Sequence, residues 1–280
     1  MSELDKWMAG ASGDGFRPPT DLRVDVPHPA RIYDYLLGGK DNFAADREAG
    51  DKILAMGGEE ARTAVRANRA ALQRAVRFLA GQGIDQFLDI GTGIPTAGNT
   101  HEIAQSVNPD ARVVYVDNDP IVLTHARALM AGPGHGATKV LQADLRDPDA
   151  LLRSPEVAEL IDFTRPVALL LVAVLHFLDD SEDPHKIVAR LVDALPSGSY
   201  VVLTHITNEV LTDDEVAGVA RAYSKASAGM HLRTRDDVAR FLTGLDLVEP
   251  GLVLAPYWRP ETEPPADSRV SILAGVAVKP

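Results

Sequence analysis

The 280-residue chain has no cysteine, only 5% aromatic residues, and a shortage of basic side chains, with 28 Lys and Arg against 40 Asp and Glu. The first absence excludes disulfides, thiolate metal sites and every route through a cysteine nucleophile. The formal net charge of -12 argues against a phosphate-backbone partner, because nucleic-acid binding draws on clustered Lys and Arg. Long apolar runs are also missing. The longest, Val167 to Leu175, is about half of what a bilayer crossing needs. Met1 to Gly15 is polar and glycine-rich, without the apolar centre of a signal peptide. A cytoplasmic protein with no membrane and no nucleic-acid partner is expected. No internal repeat is visible, no His/Asp/Glu spacing suggests a metal, and the oligomeric state leaves no signature.

What is present is a short apolar run, Phe87-Leu88-Asp89-Ile90, that enters the turn Gly91-Thr92-Gly93, with Asp117 following 24 residues after Gly93. Glycine lets the backbone turn tightly and approach a ligand. A helix start beyond it offers free N–H groups to an anion. An acidic residue at the end of the next strand can hold both hydroxyls of a ribose. Dinucleotide sites use Gly-x-Gly-x-x-Gly here, but this chain has Thr96 at the third glycine position and a carboxylate, Asp89, two residues before the first. That carboxylate would repel a pyrophosphate and suit a cofactor carrying an ammonium and a sulfonium. The pattern apolar-Asp-apolar-Gly-x-Gly resembles the first motif of class I S-adenosylmethionine (SAM)-dependent methyltransferases.

The rest of the chain predicts an α/β fold. Residues 1–27 lack periodicity and read as a disordered tail. Helices are expected over Pro29 to Leu37, Ala44 to Met56 and Glu59 to Ala80, forming an N-terminal helical lid over residues 28–83. The remainder, 84–280, reads as a Rossmann-like core. Strands are expected at Gln86–Ile90, Arg112–Asp117, Lys139–Gln142, Val167–Leu175 and Tyr200–His205. Helices are expected between them at Thr96–Val107, Pro120–Met130 and Asp183–Leu195, with two more at Asp213–Ser227 and Thr234–Leu242. The apolar run at Val167–Leu175 suits a central parallel strand covered on both faces. Leu252–Tyr257 and Val270–Val278, joined by too short a loop for a crossover helix, should pair antiparallel. Five parallel strands plus an antiparallel terminal pair make the seven-strand class I methyltransferase sheet.

Asp117 is the candidate ribose ligand and Asp119 the cap of the helix that starts at Pro120; Asn118 then lies beside the adenine. In the resembling fold an acidic residue placed like Asp144 accepts from the adenine amine, and the next backbone N–H, that of Leu145, meets the ring. Thr92 and Ala173 line the methionine part. The segment after the fourth strand, Ala173-Val174-Leu175-His176-Phe177-Leu178-Asp179-Asp180, lacks the Asn/Asp-Pro-Pro-aromatic sequence of enzymes that methylate base amines. Leu175-His176 resembles small-molecule O-methyltransferases, some of which use a histidine here as base. His176 is thus either a general base or a brace for its loop.

The stretch Tyr33-Asp34-Tyr35-Leu36-Leu37-Gly38-Gly39, with Arg66-Ala67-Asn68-Arg69 and Val248-Glu249-Pro250-Gly251, closely resembles an actinomycete family of SAM-dependent methyltransferases long known only as a domain of unknown function. The resemblance spans about Pro29 to Val278 and implies the class I fold and SAM as cofactor, without naming an acceptor. Tyr33, Asn42, Phe43 and Arg69 are candidates to close over the cofactor and meet its carboxylate or the acceptor; ordinary helix packing is the other reading of each. The expected activity is methyl transfer to a small molecule, at oxygen ahead of nitrogen, with both left open. The alternatives are a non-catalytic protein binding SAM or S-adenosylhomocysteine (SAH), and a nicotinamide oxidoreductase.

Overall fold

The computed structural model describes residues 23–124 and 137–280. The sequence-predicted tail falls largely outside them, as does the end of the helix expected over Pro120–Met130. The first helix, α1 (Pro29–Leu37), starts behind His28, whose ring accepts from the Ala30 N–H, with Pro29 in its first turn. It stops at Gly38, where the left-handed φ of 86° lets the cap N–H reach back to the last carbonyls. A tight turn then leads into α2 (Ala44–Gly81). Two helices were expected over this span. The break falls where they predict it: Gly58, with φ 53° and ψ −139°, is non-helical and divides the 38-residue span into two helices across a kink.

The sheet runs β3-β2-β1-β4-β5-β8-β6, with β7 also on β8. Its strands are β1 (Gln86–Ile90), β2 (Arg112–Asp117), β3 (Thr138–Gln142), β4 (Ala168–Val172), β5 (Tyr200–Ile206), β6 (Asp246–Leu247), β7 (Val253–Leu254) and β8 (Ile272–Val278). The first five are parallel and β8 is antiparallel to β5. The expected architecture holds, with eight strands among the described residues in place of seven. The strand expected at Leu252–Tyr257 shrinks to β7, because Ala255–Tyr257 coils into a 3₁₀ turn, and the two-residue β6 takes the free edge of β8.

Helices cover both faces. They are α3 (Thr100–Val107), α4 (Pro148–Leu152), α5 (Pro155–Leu160), α6 (Pro184–Ala194), α7 (Asp213–Tyr223) and α8 (Arg235–Ala239). The two-residue alternation of strand side chains divides the core. Phe87, Val113, Tyr115 and Leu170 pack against Leu72, Val76 and Leu79 of α2. Leu88, Val114, Leu169 and Leu171 pack against α5 and α6 on the other face. A third cluster joins α1, α2 and α7 through Ile32, Leu36, Ile53, Val65 and Tyr223. This packing fixes the N-terminal helices over the carboxyl ends of β1, β2 and β4, where open α/β sheets bind ligands.

Candidate cofactor site

A cavity of about 560 Å³ opens at those strand ends, within the range of small-molecule sites. Gly91-Thr92-Gly93 forms its floor. Gly91 and Gly93 have φ of 75° and 66°, and the N–H groups of Gly91 and Thr92 donate to the Val116 carbonyl, locking the turn to β2. A Cβ on Gly91 would overlap the Val174 side chain, so glycine is required on both conformational and spatial grounds. The helix expected from Thr96 begins at Thr100. Asn99 caps it, and Glu102 accepts from the Asn99 N–H in return.

Asp117 ends β2 on the cavity wall. One carboxylate oxygen accepts from the Gly93 N–H at 2.8 Å and the other from the Asp119 N–H at 2.9 Å. The Asn118 N–H also reaches this carboxylate, which with about four acceptor sites keeps room for a further donor. Burial pushes its pKa up to about 6, against the opposing pull of those N–H groups. Asp89, on the same wall, accepts from the Thr100 hydroxyl at 2.7 Å, and burial holds it at about 6 as well. Asn118, Asp144 and Leu145 also line the cavity. Asp144 is held by the backbone and guanidinium of Arg146, itself paired with Glu182. Asp119 caps the turn beginning at Pro120 through the Ile121 N–H, as its spacing predicts. It also faces His28, at the start of α1, and Arg31 within it, each at 3.2 Å. Burial lowers the His28 pKa, although the Asp119 charge opposes this.

The lid candidates divide. Tyr33 and Arg69 are on the cavity wall, whereas Asn42 and Phe43 are not. Asn42 donates to Asp34 and to the Gly39 carbonyl, closing the α1–α2 turn; Phe43 stands at the N-cap position of α2, where its N–H donates to Asp46, and packs under the Arg31 guanidinium. The motif Tyr33-Asp34-Tyr35-Leu36-Leu37-Gly38-Gly39 is therefore largely architectural. Asp34 fills the space where Gly39 would carry a Cβ, and the Tyr35 ring does the same at Gly50. Arg69 reaches the Thr96 and Gly98 carbonyls and Asn99 through Nη2, while its buried Nε has no partner. It is an available donor for a carboxylate.

Ala173 and Val174 line the cavity beyond β4. Val167–Leu175 does not stay extended, because Ala173 takes φ 53°, a left-handed conformation costing roughly 1–2 kcal/mol in a residue with a Cβ. Such strain is typical of ligand sites. His176 follows in a 3₁₀ turn, 3% exposed and absent from the cavity wall, while its neighbours Phe177 and Leu178 are on it. Its Nδ1 accepts from the Ile206 N–H at 3.4 Å, and burial drives its pKa well below the usual histidine range. The base reading of His176 needs a ring facing the acceptor; this ring faces β5 and His205.

Composition and motif reading missed Arg233. Its guanidinium donates to the Leu175 and Leu178 carbonyls, to His205 Nε2 at 3.0 Å and to Asp180 at 2.6 Å, pinning the loop after β4. Only the fold brings it there, so no local signal marks it. Among the described residues no group of three or more His, Cys, Asp or Glu is placed to hold a metal. No helix among them is long and apolar enough to cross a membrane.

A glycine turn after β1, flanked by the buried Asp117 at the end of β2 and by the strained end of β4, on a 3-2-1-4-5 parallel sheet closed by an antiparallel strand, defines a class I methyltransferase fold. The sequence model of the S-adenosyl methyltransferase family matches residues 17–280, and the chain belongs to that family, whose cofactor is SAM. A DUF574 family protein from Streptomyces avermitilis is 46% identical, with a TM-score of 0.88 over 92% of this chain and 100% of its own. A methyltransferase candidate from Thermobifida fusca is 43% identical, with a TM-score of 0.86 over 94% of this chain and 98% of its own. The magnesium protoporphyrin IX methyltransferase of Synechocystis, solved with bound SAH, shares the fold at 12% identity and a TM-score of 0.52, over 89% of this chain and 93% of its own. No curated protein matches the chain.

Proposed function

We propose that this protein catalyses transfer of the SAM methyl group to a small-molecule acceptor, at oxygen rather than nitrogen. The observation that carries the cofactor half is Asp117, a buried carboxylate on the cavity wall whose two oxygens are held by the glycine turn and its own loop. It would accept from the two ribose hydroxyls, with Asn118, Asp144 and Leu145 around the adenine. Arg69, with its unpartnered Nε, would take the methionine carboxylate. Asp89 supplies negative charge for the ammonium and sulfonium. When bound, SAM supplies an electrophilic methyl on a sulfonium, and the protein's task is to hold an acceptor in line with it.

Tyr33, Phe177, Leu178, Ala226 and Ala228 are among the apolar residues of the cavity wall. The Tyr33 hydroxyl donates to the Val65 carbonyl, so the ring rather than a free hydroxyl is left for a ligand. This wall supports a compact acceptor with an apolar face. The absence of an Asn/Asp-Pro-Pro-aromatic sequence after β4 supports oxygen over a base amine. We assign His176 to bracing the loop, given its place off the wall.

The test is isothermal titration with SAM, SAH and NAD, followed by transfer of labelled methyl from SAM into a library of small phenols, carboxylic acids and amines. Binding of SAM and SAH with labelling of an oxygen acceptor is expected. NAD binding in preference to SAM would overturn the reading. SAM binding with no transfer to any acceptor class would favour a SAM-binding protein without catalysis.

A further inference from the structure

A file of polar groups runs from the end of β4 into the lid, and every hydrogen bond in it points the same way. The Ala173 N–H donates to the Thr204 hydroxyl at 2.9 Å, and that hydroxyl donates to Asn68 Oδ1 at 2.6 Å. Asn68 Nδ2 donates to the Tyr33 hydroxyl at 2.9 Å, which donates to the Val65 carbonyl at 2.9 Å. Four elements are crossed: the β4 end, β5, α2 and α1. Thr204 and Asn68 are 1% and 3% exposed, so water does not substitute for either. In a dry setting, donors and acceptors aligned in one direction polarise and strengthen one another.

Three members, Ala173, Asn68 and Tyr33, touch the cavity, whereas Thr204 does not. Ala173 is also the residue with left-handed φ, and the next residue, Val174, fills the space where Gly91 has no Cβ. The position of the Ala173–Val174 backbone against the glycine turn thus depends on a hydroxyl behind it. The Ala173 N–H has one further contact, the Thr204 carbonyl at 3.2 Å, which is longer than its bond to the hydroxyl.

We propose that Thr204 and Asn68 are positioning residues that set the Ala173–Val174 backbone for the methionine half of the cofactor, and through Tyr33 tie that setting to the lid. This rests on the SAM-binding reading above. It assigns a function to a residue, Thr204, that is off the cavity wall and acts on the site through the Ala173 backbone N–H.

The test compares wild type, Thr204→Val, Thr204→Ser and Asn68→Ala by titration with SAH and with adenosine, together with the unfolding temperature of each ligand-free protein. Thr204→Val keeps the shape of threonine and removes the hydroxyl. It should weaken SAH binding about tenfold and leave adenosine within about twofold, since adenosine lacks the methionine half. Thr204→Ser should restore SAH binding. Asn68→Ala should show the same split from the helix side, which keeps the proposal testable if Thr204→Val does not fold. SAH binding unchanged in Thr204→Val, or lost in step with adenosine, would overturn it. Failure of wild type to bind SAH at all would instead refute the cofactor reading.

Discussion

Asp117→Asn separates the ligand role of this carboxylate from its structural one, because the amide keeps its size. In the native site both oxygens already accept backbone N–H groups. An amide offers one acceptor oxygen and one NH2, so either orientation turns a donor toward the Gly93 or the Asp119 N–H. Losing that bond costs about 1–3 kcal/mol. Against this, the buried charge disappears. A pKa held at about 6 rather than 3.8 corresponds to roughly 3 kcal/mol of charge burial at neutral pH. The two terms oppose each other, so the ligand-free unfolding temperature should move little. Cofactor affinity has no such offset. Two charge-assisted bonds to ribose hydroxyls are worth about 1.5–3 kcal/mol each, and a neutral amide would recover about 0.5–1.5 kcal/mol. The net loss of about 2–4 kcal/mol is a roughly 30- to 700-fold weaker Kd. Titration calorimetry with SAH at pH 7.5, paired with thermal unfolding, measures both quantities. An Asp117→Asn protein that binds SAH within threefold of wild type would refute the ribose assignment.

Other perturbations address the rest of the site. Asp89 and Asp117 both titrate near 6 when folded and lower when unfolded, so between about pH 4 and 6 the native state holds more protons. Ligand-free stability from these two groups should therefore fall as pH rises through that window. A cationic cofactor favours their ionised forms, so the unfolding-temperature shift produced by SAM should be larger at pH 7.5 than at pH 5; a shift independent of pH would count against both carboxylates. Gly91→Ala places a Cβ against Val174 at a φ of 75°, and should cost about 2 kcal/mol or more of stability and the SAM-induced shift; a normal shift would mean the turn is not the floor. Arg233→Leu strands the buried carbonyls of Leu175 and Leu178. A loss of about 3 kcal/mol, or roughly 6–12 °C in unfolding temperature, should appear by calorimetry, and a change under about 2 °C would deny Arg233 its bracing role.

The parts of this site that were legible in the sequence are those built from neighbours in the chain. Gly91, Gly93 and Asp89 belong to one turn, and Asp117 stands at the end of an apolar run whose partner strand is just as plain. Asp119 was readable as a cap from the proline after it. Legibility ended where conformation depends on distant partners. Val167–Leu175 reads as one long strand, but Ala173 leaves it because Thr204 and the Gly91–Val174 contact hold it elsewhere. The short α4 and α5 have too few turns to show periodicity, although Asp147-Pro148 and Ser154-Pro155 are good helix starts. Asn42 and Phe43 share the aromatic, polar character of Tyr33. Only the turn geometry around Asp34 shows that they serve the lid's own fold. His176 illustrates the same limit, since the sequence leaves it open between base and brace, and only the fold shows its ring off the cavity wall, accepting from the Ile206 N–H.

The break at Gly58 divides α2 into two stretches with different allegiances. Residues before it pack with α1 and α7, while those after it hold α1 as well, through Arg62, Val65 and Asn68, and also carry Arg69 and the apolar stripe buried against the sheet. A rigid rod of 38 residues would transmit any tilt at the α1 end directly to Arg69 and the cofactor floor. With a break at Gly58, the stretch ahead of it is set by α1 and α7 and the stretch behind it by the sheet. The two stay coupled through α1, because Tyr33 bonds both the Val65 carbonyl and Asn68. Changes ahead of Gly58 therefore reach the cavity through α1 rather than along the helix axis.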